Sequence, residues 1–233
     1  MRILGIDTSG PVASAAAWED GVVRAEMVLN TGLTHSQTIM PAIDAVLHAC
    51  SWTCADVDAF AAVAGPGSFT GVRIGVCAAK GMAHALAKPC ARIHALETLA
   101  MQARGFEGVV CPILDARRDQ VYSAAFCWAE GDLPQRVLAD AAQSLEAYMD
   151  SLPPEGRLLF VGDGVGKYAP SIRERFGSRA LLADELMGLR ASAACALAAR
   201  QKQAWMPAGE LTPIYFRAPQ AERERKEREN GAG

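Results

Sequence analysis

The sequence predicts an α/β protein with mixed sheets in two lobes, and three observations carry that reading. Strand-like and helix-like stretches alternate over residues 1–104. A glycine-bounded break follows at Gly105 to Gly108, and two further strand-like runs, Val109 to Asp115 and Gln120 to Trp128, open a second unit.

The elements follow in order. Arg2 to Asp7 and Ala13 to Trp18 read as strands, and Asp20-Gly21 supplies a tight hairpin turn into Val22 to Leu29. Thr34 fits the N-cap of a helix to about Cys50, with Ile39, Ile43, Val46, Leu47 and Cys50 at helical spacing. Val57 to Val63 returns as a buried strand. A glycine-rich turn leads into a helix from Thr70 to Leu86, which Pro89 stops. A short strand and a helix from Leu96 to Ala103 complete the unit. In the second, helices near Ser144–Asp150, Lys167–Phe176 and Leu189–Gln203 surround a strand at Leu158 to Val161. The expected domains are thus 1–104, a smaller lobe at 105–217 and a charged tail, 218–233, read as frayed helix or disorder. No internal repeat is legible.

Composition narrows the function. The 233 residues are 51% apolar, enough for a substantial core, and a net charge of −3 argues against a broad nucleic-acid-binding surface. A few local Lys or Arg contacts remain open. The apolar run before Asp7 is too short for a signal peptide or a membrane span. The 7 cysteines are scattered without a CxxC, as expected of small buried hydrophobes in a reduced, cytoplasmic protein.

The stretch AVAGPGSFTGVRIGV, Ala62 to Val76, invites two readings. As a phosphate cradle it fails both standard spacings: Val72 follows Gly71 where a P-loop needs Lys, and Gly65-Pro66-Gly67 is followed by Gly71 one residue too late for GxGxxG. Gly162 to Tyr168, GDGVGKY, has a lysine at the wrong spacing. Close packing is the alternative. Gly71, Gly75, Ala79 and Ala83 fall on one helix face, widened by Ala78, Gly81 and Ala85, and small residues let another backbone approach. Direct phosphate contact at the turn stays open beside it.

Asp7-Thr8-Ser9 ends a buried strand. It could meet a magnesium-bound nucleotide or be a turn bonded to its own backbone. The 4 histidines show neither HxH nor HxxxH spacing, and there is no GxSxG elbow. His35 and His48 are expected on a helix surface, and Asp115 to Asp119 in a solvated, ion-paired turn.

Taken together, ILGIDTS, GPGSFTGVRIG, DARRDQVY at 115–122 and PIYFR at 213–217 occur in the order of the bacterial TsaB (YeaZ) family, which the chain resembles up to about Arg217. The resemblance implies the actin/Hsp70/sugar-kinase-like (ASKHA) fold. It also implies the accessory, dimerising subunit of the machinery that forms N6-threonylcarbamoyladenosine at position 37 of ANN-decoding tRNAs. TsaD would carry the chemistry, the ATPase TsaE would join them, and tRNA would be met only through the complex. The catalytic paralogue has a HMEGH-like metal motif. The match places its histidine positions at Ala95 and Leu99, with His94 beside them and Glu97 at the glutamate position. No metal and no tightly bound cofactor are therefore expected. Asp7, Thr8, Ser9, Gly65 and Gly67 become vestigial nucleotide-site positions, open to ATP or ADP only weakly or in the complex.

The resemblance also implies contact with TsaD, and a homodimer of the isolated protein, through helices matching 34–50 and 70–88. Ile39, Ile43, Gly71, Ile74, Gly75, Ala78 and Ala79 are the expected interface residues, with part of the stripe free to face its own sheet. An independent ATP-dependent phosphotransferase of the same superfold is the alternative, with Gly162-Asp163-Gly164 as its second phosphate loop. A metal-dependent peptidase or transferase would need the missing histidines.

Overall fold

The computed structural model describes residues 1–129, 131–183 and 188–216. The charged tail and Arg217 of the PIYFR motif lie outside them.

In the first sheet, β1 (Arg2–Asp7), β2 (Ala13–Glu19) and β3 (Val22–Leu29) form an antiparallel meander. Asp20 and Gly21, at φ 47° and 94°, make the tight turn. Helix α1 (His35–Ala49) leads to β4 (Ala59–Val63), parallel to β1. Helix α2 (Phe69–Ala85) leads to β5 (Pro89–Ile93), parallel to β4. The α2 start is fixed by Ser68, whose hydroxyl accepts the Gly71 N–H at 3.3 Å. At Thr34, the α1 N-cap, the hydroxyl donates to the Gln37 side chain instead, at 2.9 Å.

After α3 (Ala95–Gln102) the same order is repeated: β6 (Val109–Asp115), β7 (Gln120–Cys127) and β8 (Gln135–Ser144), α4 (Leu145–Ser151), β9 (Leu158–Val161), α5 (Gly164–Phe176) and β10 (Ala180–Leu182). The first sheet runs β5-β4-β1-β2-β3 and the second β10-β9-β6-β7-β8, with the same parallel and antiparallel pairings. The two lobes are one topology used twice. The repeat is illegible in the sequence because each lobe fills the shared pattern with different side chains and different helix lengths.

Residues 188–216, expected in the second lobe, return to the first. Helix α6 (Ala191–Arg200) packs on β1 and β2, and β11 (Met206–Pro207) pairs antiparallel with β5 as the sixth strand of the first sheet. The approach depends on Gly5, where a β-carbon would stand 2.5 Å from the Ala191 carbonyl oxygen and 2.6 Å from Cys195 Sγ. Strands hold the helix start: the Ser14 hydroxyl accepts the Ala191 N–H at 3.0 Å and donates to the Leu189 carbonyl at 3.1 Å, and Glu26 accepts the Ser192 N–H at 2.9 Å.

Helices α3 and α6 lie between the sheets. Leu96, Leu99, Ala194 and Leu197 share one core with Ile3, Ala61 and Ile93 of the first sheet and Val110, Leu114 and Phe126 of the second. Helices α1 and α2 cover the outer face of the first sheet, α4 and α5 that of the second.

Candidate functional site

The duplication brings equivalent strand ends together. Asp7 ends β1 and Asp115 ends β6; Gly65 follows β4 and Gly162 follows β9, both glycines in the left-handed region at φ 117° and 108°. Between the lobes lies a cleft of about 560 Å³, lined among others by Ser9, Gly67, Arg117, Arg118, Asp163 and Tyr215.

The Asp7-Thr8-Ser9 turn lies below it, and all three residues are buried. Asp7 Oδ1 accepts the Ser9 N–H at 2.9 Å, while Asp7 Oδ2 and Ser9 Oγ have no hydrogen-bond partner. Burial pushes the Asp7 carboxyl up to about 7, against the lowering effect of the bond from the Ser9 N–H. Asp163 likewise stands at about 6 because it is buried, although it accepts the Asp115 N–H at 2.8 Å. Two carboxyls held above the ordinary range therefore stand in opposite lobes, Asp163 in the cleft lining and Asp7 buried beneath Ser9.

The glycines of the turn stand where backbone passes close. Gly65 lets residue 214 approach: a β-carbon there would stand 2.5 Å from the Ile214 carbonyl oxygen, and Ile214 N–H donates to the Ala64 carbonyl at 2.7 Å. A β-carbon on Gly67 would overlap the Ser9 carbonyl oxygen. A phosphate cradle needs unengaged backbone N–H groups. Here the Ser9 N–H is held by Asp7, the Ser68 N–H by the Ser9 carbonyl at 2.7 Å, and the Gly71 N–H by the Ser68 hydroxyl. Three donors of the turn are thus engaged within the fold, carboxyl groups lie beneath it, and Arg117 and Arg118 stand at the cleft rim.

The small-residue stripe resolves into two faces. Gly71, Gly75 and Ala79 are buried, the two glycines against Thr8 just past the end of β1, where Thr8 Oγ1 donates to the Gly71 carbonyl at 2.7 Å. Ile39 and Ile43 of α1 are also core, at 1% and 2% exposure. These five residues, expected at a subunit interface, are sealed within the fold of this chain. Ile74 and Ala78 are the two that reach the surface.

His94 caps α3, and the Ala95 and Leu99 positions are apolar core. The His94 Nε2 lies 3.4 Å from Asp140 Oδ2, yet burial holds the imidazole down at about 4, outweighing the raising effect of Asp140. The ring is neutral at pH 7, and the Asp140 charge is met by Arg136. Glu97 accepts a hydrogen bond from Gln201 at 2.8 Å.

Sequence reasoning missed several cleft residues. His35, expected on the surface, lines the cleft and bonds the Gly10 carbonyl through Nε2 at 2.8 Å. Tyr215 accepts from Arg73 Nε at 2.8 Å and packs on Phe69, with ring centroids 5.1 Å apart. Arg117, Arg118 and Asp119 lie in the exposed, ion-paired turn expected there, with Asp115 paired to Arg117 and Lys167; that Arg117 and Arg118 reach the cleft, through three successive left-handed residues at φ 61°, 52° and 54°, no periodicity announces.

Two lobes of duplicated topology, with a cleft between equivalent strand ends and helices buried between the sheets, define a protein of the actin/Hsp70/sugar-kinase-like class. A family model described as "TsaD: tRNA N6-adenosine threonylcarbamoyltransferase" matches residues 30–176. The tRNA threonylcarbamoyladenosine biosynthesis protein TsaB of Bacillus subtilis is 34% identical over 95% of this chain and 96% of its own. YeaZ from Pseudomonas aeruginosa superposes with a TM-score of 0.79 at 28% identity, over 92% of this chain and 99% of that one. The (R)-2-hydroxyglutaryl-CoA dehydratase component A of Acidaminococcus fermentans shares the fold alone, with a TM-score of 0.52 at 12% identity over 87% and 99% of the chains. The chain belongs to the TsaB (YeaZ) family of tRNA threonylcarbamoyladenosine biosynthesis. Among the described residues no helix is long and apolar enough to cross a membrane.

Proposed function

We propose that this chain is the non-catalytic, dimerising subunit that pairs with TsaD, and through it with TsaE and tRNA, in cytoplasmic threonylcarbamoyladenosine synthesis. The observation that carries the reading is the replacement of the metal-motif histidine positions by Ala95 and Leu99, both fully buried apolar residues. A transition metal needs imidazole, thiolate or carboxylate donors, which alanine and leucine lack. The three engaged N–H groups of Ser9, Ser68 and Gly71 and the acidic groups beneath the turn support the same reading, in which nucleotide is not held tightly by the isolated chain. TsaD would dock on the outward faces of α1 and α2, where Met40, Ile74 and Ala78 remain accessible, and a homodimer of the isolated protein would use the same faces.

The test is reconstitution of the modification with purified TsaD and TsaE. Activity that depends on this chain, with no metal binding or ATP hydrolysis by the chain alone, is the expected result. One tightly held zinc or iron per chain, or ATP turnover without TsaD, would overturn it.

A further inference from the structure

A second concavity, of about 460 Å³, runs along one face of α6 between the end of α3 and the β2–β3 hairpin. Three guanidinium groups surround it: Arg104 just beyond α3, Arg190 at the N-cap of α6 and Arg200 at its last residue. Ten residues of helix separate the last two, roughly 15 Å at 1.5 Å per residue. Among the described residues their counter-charges are partial. Arg104 pairs with Asp132, itself 66% exposed, and Arg190 Nη1 lies 3.9 Å from Glu26, whose other oxygen already accepts the Ser192 N–H. Among the described residues Arg200 donates to the Ala196 carbonyl of its own helix, at 2.9 Å, and its buried Nε has no hydrogen-bond partner.

The floor between the arginines is formed by small residues, Ala193 and Ala196, while Trp18 and Met101 are closed over at 6% and 7% exposure. Val23, on the hairpin wall, is the exposed apolar side chain of the lining at 47%, and among the described residues it stands alone, without the cluster of large apolar groups that anchors a protein partner. Separate guanidinium forks along an open groove suit a polyanion that offers successive phosphates, which arginine meets bidentately. A single small anion would need donors that converge on one point.

We infer that the α6 groove is a contact for the phosphate backbone of RNA, so that this subunit touches the tRNA itself. This rests on the proposed role in tRNA modification and assigns to this chain a share of the RNA contact. The net charge of −3 makes the contact weak in the isolated protein and useful chiefly in the assembly.

The experiment is fluorescence anisotropy of a labelled ANN-decoding tRNA transcript with the full chain, titrated at several salt concentrations. Arg190→Gln/Arg200→Gln is compared with Arg173→Gln, an exposed site on α5 of the second lobe. The double variant loses the 3.9 Å Arg190–Glu26 ion pair and a bond within α6, so it should melt within a few degrees of the parent, and its folding is checked first. Expected are binding that weakens with salt, an affinity about tenfold lower in the double variant, and a salt slope smaller by about 2, one per lost phosphate contact. The Arg173 variant should match the parent. Undetectable binding of the transcript at any salt, equal binding by parent and double variant, or tighter arginine-dependent binding of a polyglutamate peptide would each overturn the inference. Reconstituted modification separates this from the family role: a chain that restores modification but fails the binding test keeps the role and loses the groove.

Discussion

Thr8 stands so close to Gly75 that a β-carbon on the glycine would come within 2.5 Å of Thr8 Oγ1. The same hydroxyl donates to the Gly71 carbonyl, so α2 rides on the end of β1 at a separation only glycine permits. Gly75→Leu must push the helix off the sheet. Overpacking of this kind destabilises by about 1–3 kcal/mol, and each kcal/mol lowers the melting temperature of a chain this size by roughly 2–4 °C. The variant should melt several degrees lower or fail to accumulate as soluble protein. Gly81, exposed on the same helix with nothing within 4 Å of a β-carbon, is the control. Gly81→Ala should gain up to about 1 kcal/mol. A Gly75→Leu protein with unchanged melting but lost partner binding would put that face outside the fold.

The same helix shows what the sequence could reveal. Its glycine and alanine spacing announced a close approach, but an amphipathic period says only that one face is buried, and both the sheet and a partner can bury it. The meander, α1, β6 and β9 were legible because each carries strong periodicity between clear turn residues. Strand β8 was not: Gln135–Ser144 is half exposed and its side chains do not alternate cleanly. The return of α6 to the first lobe was hidden for another reason. Its anchors, Ser14 and Glu26, stand about 170 residues away in the chain, and no local pattern links them. Asp163, a carboxyl of the cleft lining, was visible only as part of a Gly-Asp-Gly turn, since its bond from the Asp115 N–H joins residues 48 apart in the chain.

Asp7 gives a pH prediction. Its folded carboxyl titrates near 7, well above the ordinary value of about 3.9. Between those values the folded state binds more protons than the unfolded one, so stability falls as pH rises through the window and the full penalty stands above 7. Asp7→Asn removes the charge and keeps an oxygen for the Ser9 N–H. The melting temperature of this variant should exceed the parent's by several degrees at pH 8, with the gain shrinking toward pH 4. A gain independent of pH, or a loss at pH 8, would mean that the Asp7 charge is stabilised in the fold. In the reconstituted system, modification by Asp7→Asn should stay near the parent's level if the turn is a relic.

Ser14 tests the joint between α6 and the first sheet. Its hydroxyl serves the Ala191 N–H and the Leu189 carbonyl, and the residue is fully buried. Ser14→Ala leaves both backbone groups without that partner, at about 1–3 kcal/mol for each buried group left unsatisfied. Melting should fall by at least several degrees, and hydrogen exchange should quicken first at residues 189–194, the start of the helix that lies between the sheets. Ser14→Thr keeps the hydroxyl but adds a methyl to a closed site, so it should rescue exchange at Ala191 more than global stability. Unchanged exchange at Ala191 in Ser14→Ala would show that the hydroxyl does not hold the helix start.

The outward faces of α1 and α2 carry the last prediction. With Gly71, Gly75, Ala79, Ile39 and Ile43 sealed inside, a partner can reach only residues such as Met40, 48% exposed, and Ala78. Ala78→Glu and Met40→Glu each place a charge in a surface that docking would dry, and an unpaired charge there opposes binding far more than it disturbs the free chain. Neither substitution opens a cavity in the core, so the melting temperature should stay within about 2 °C of the parent's, as for ordinary surface changes. Affinity for TsaD should fall by tenfold or more, about 1.4 kcal/mol per decade. Modification at limiting protein should fall with it and recover as the variant's concentration is raised. Sedimentation of the isolated variants should show the same weakening of any homodimer. Full TsaD affinity in both folded variants would move the docking surface off these helices.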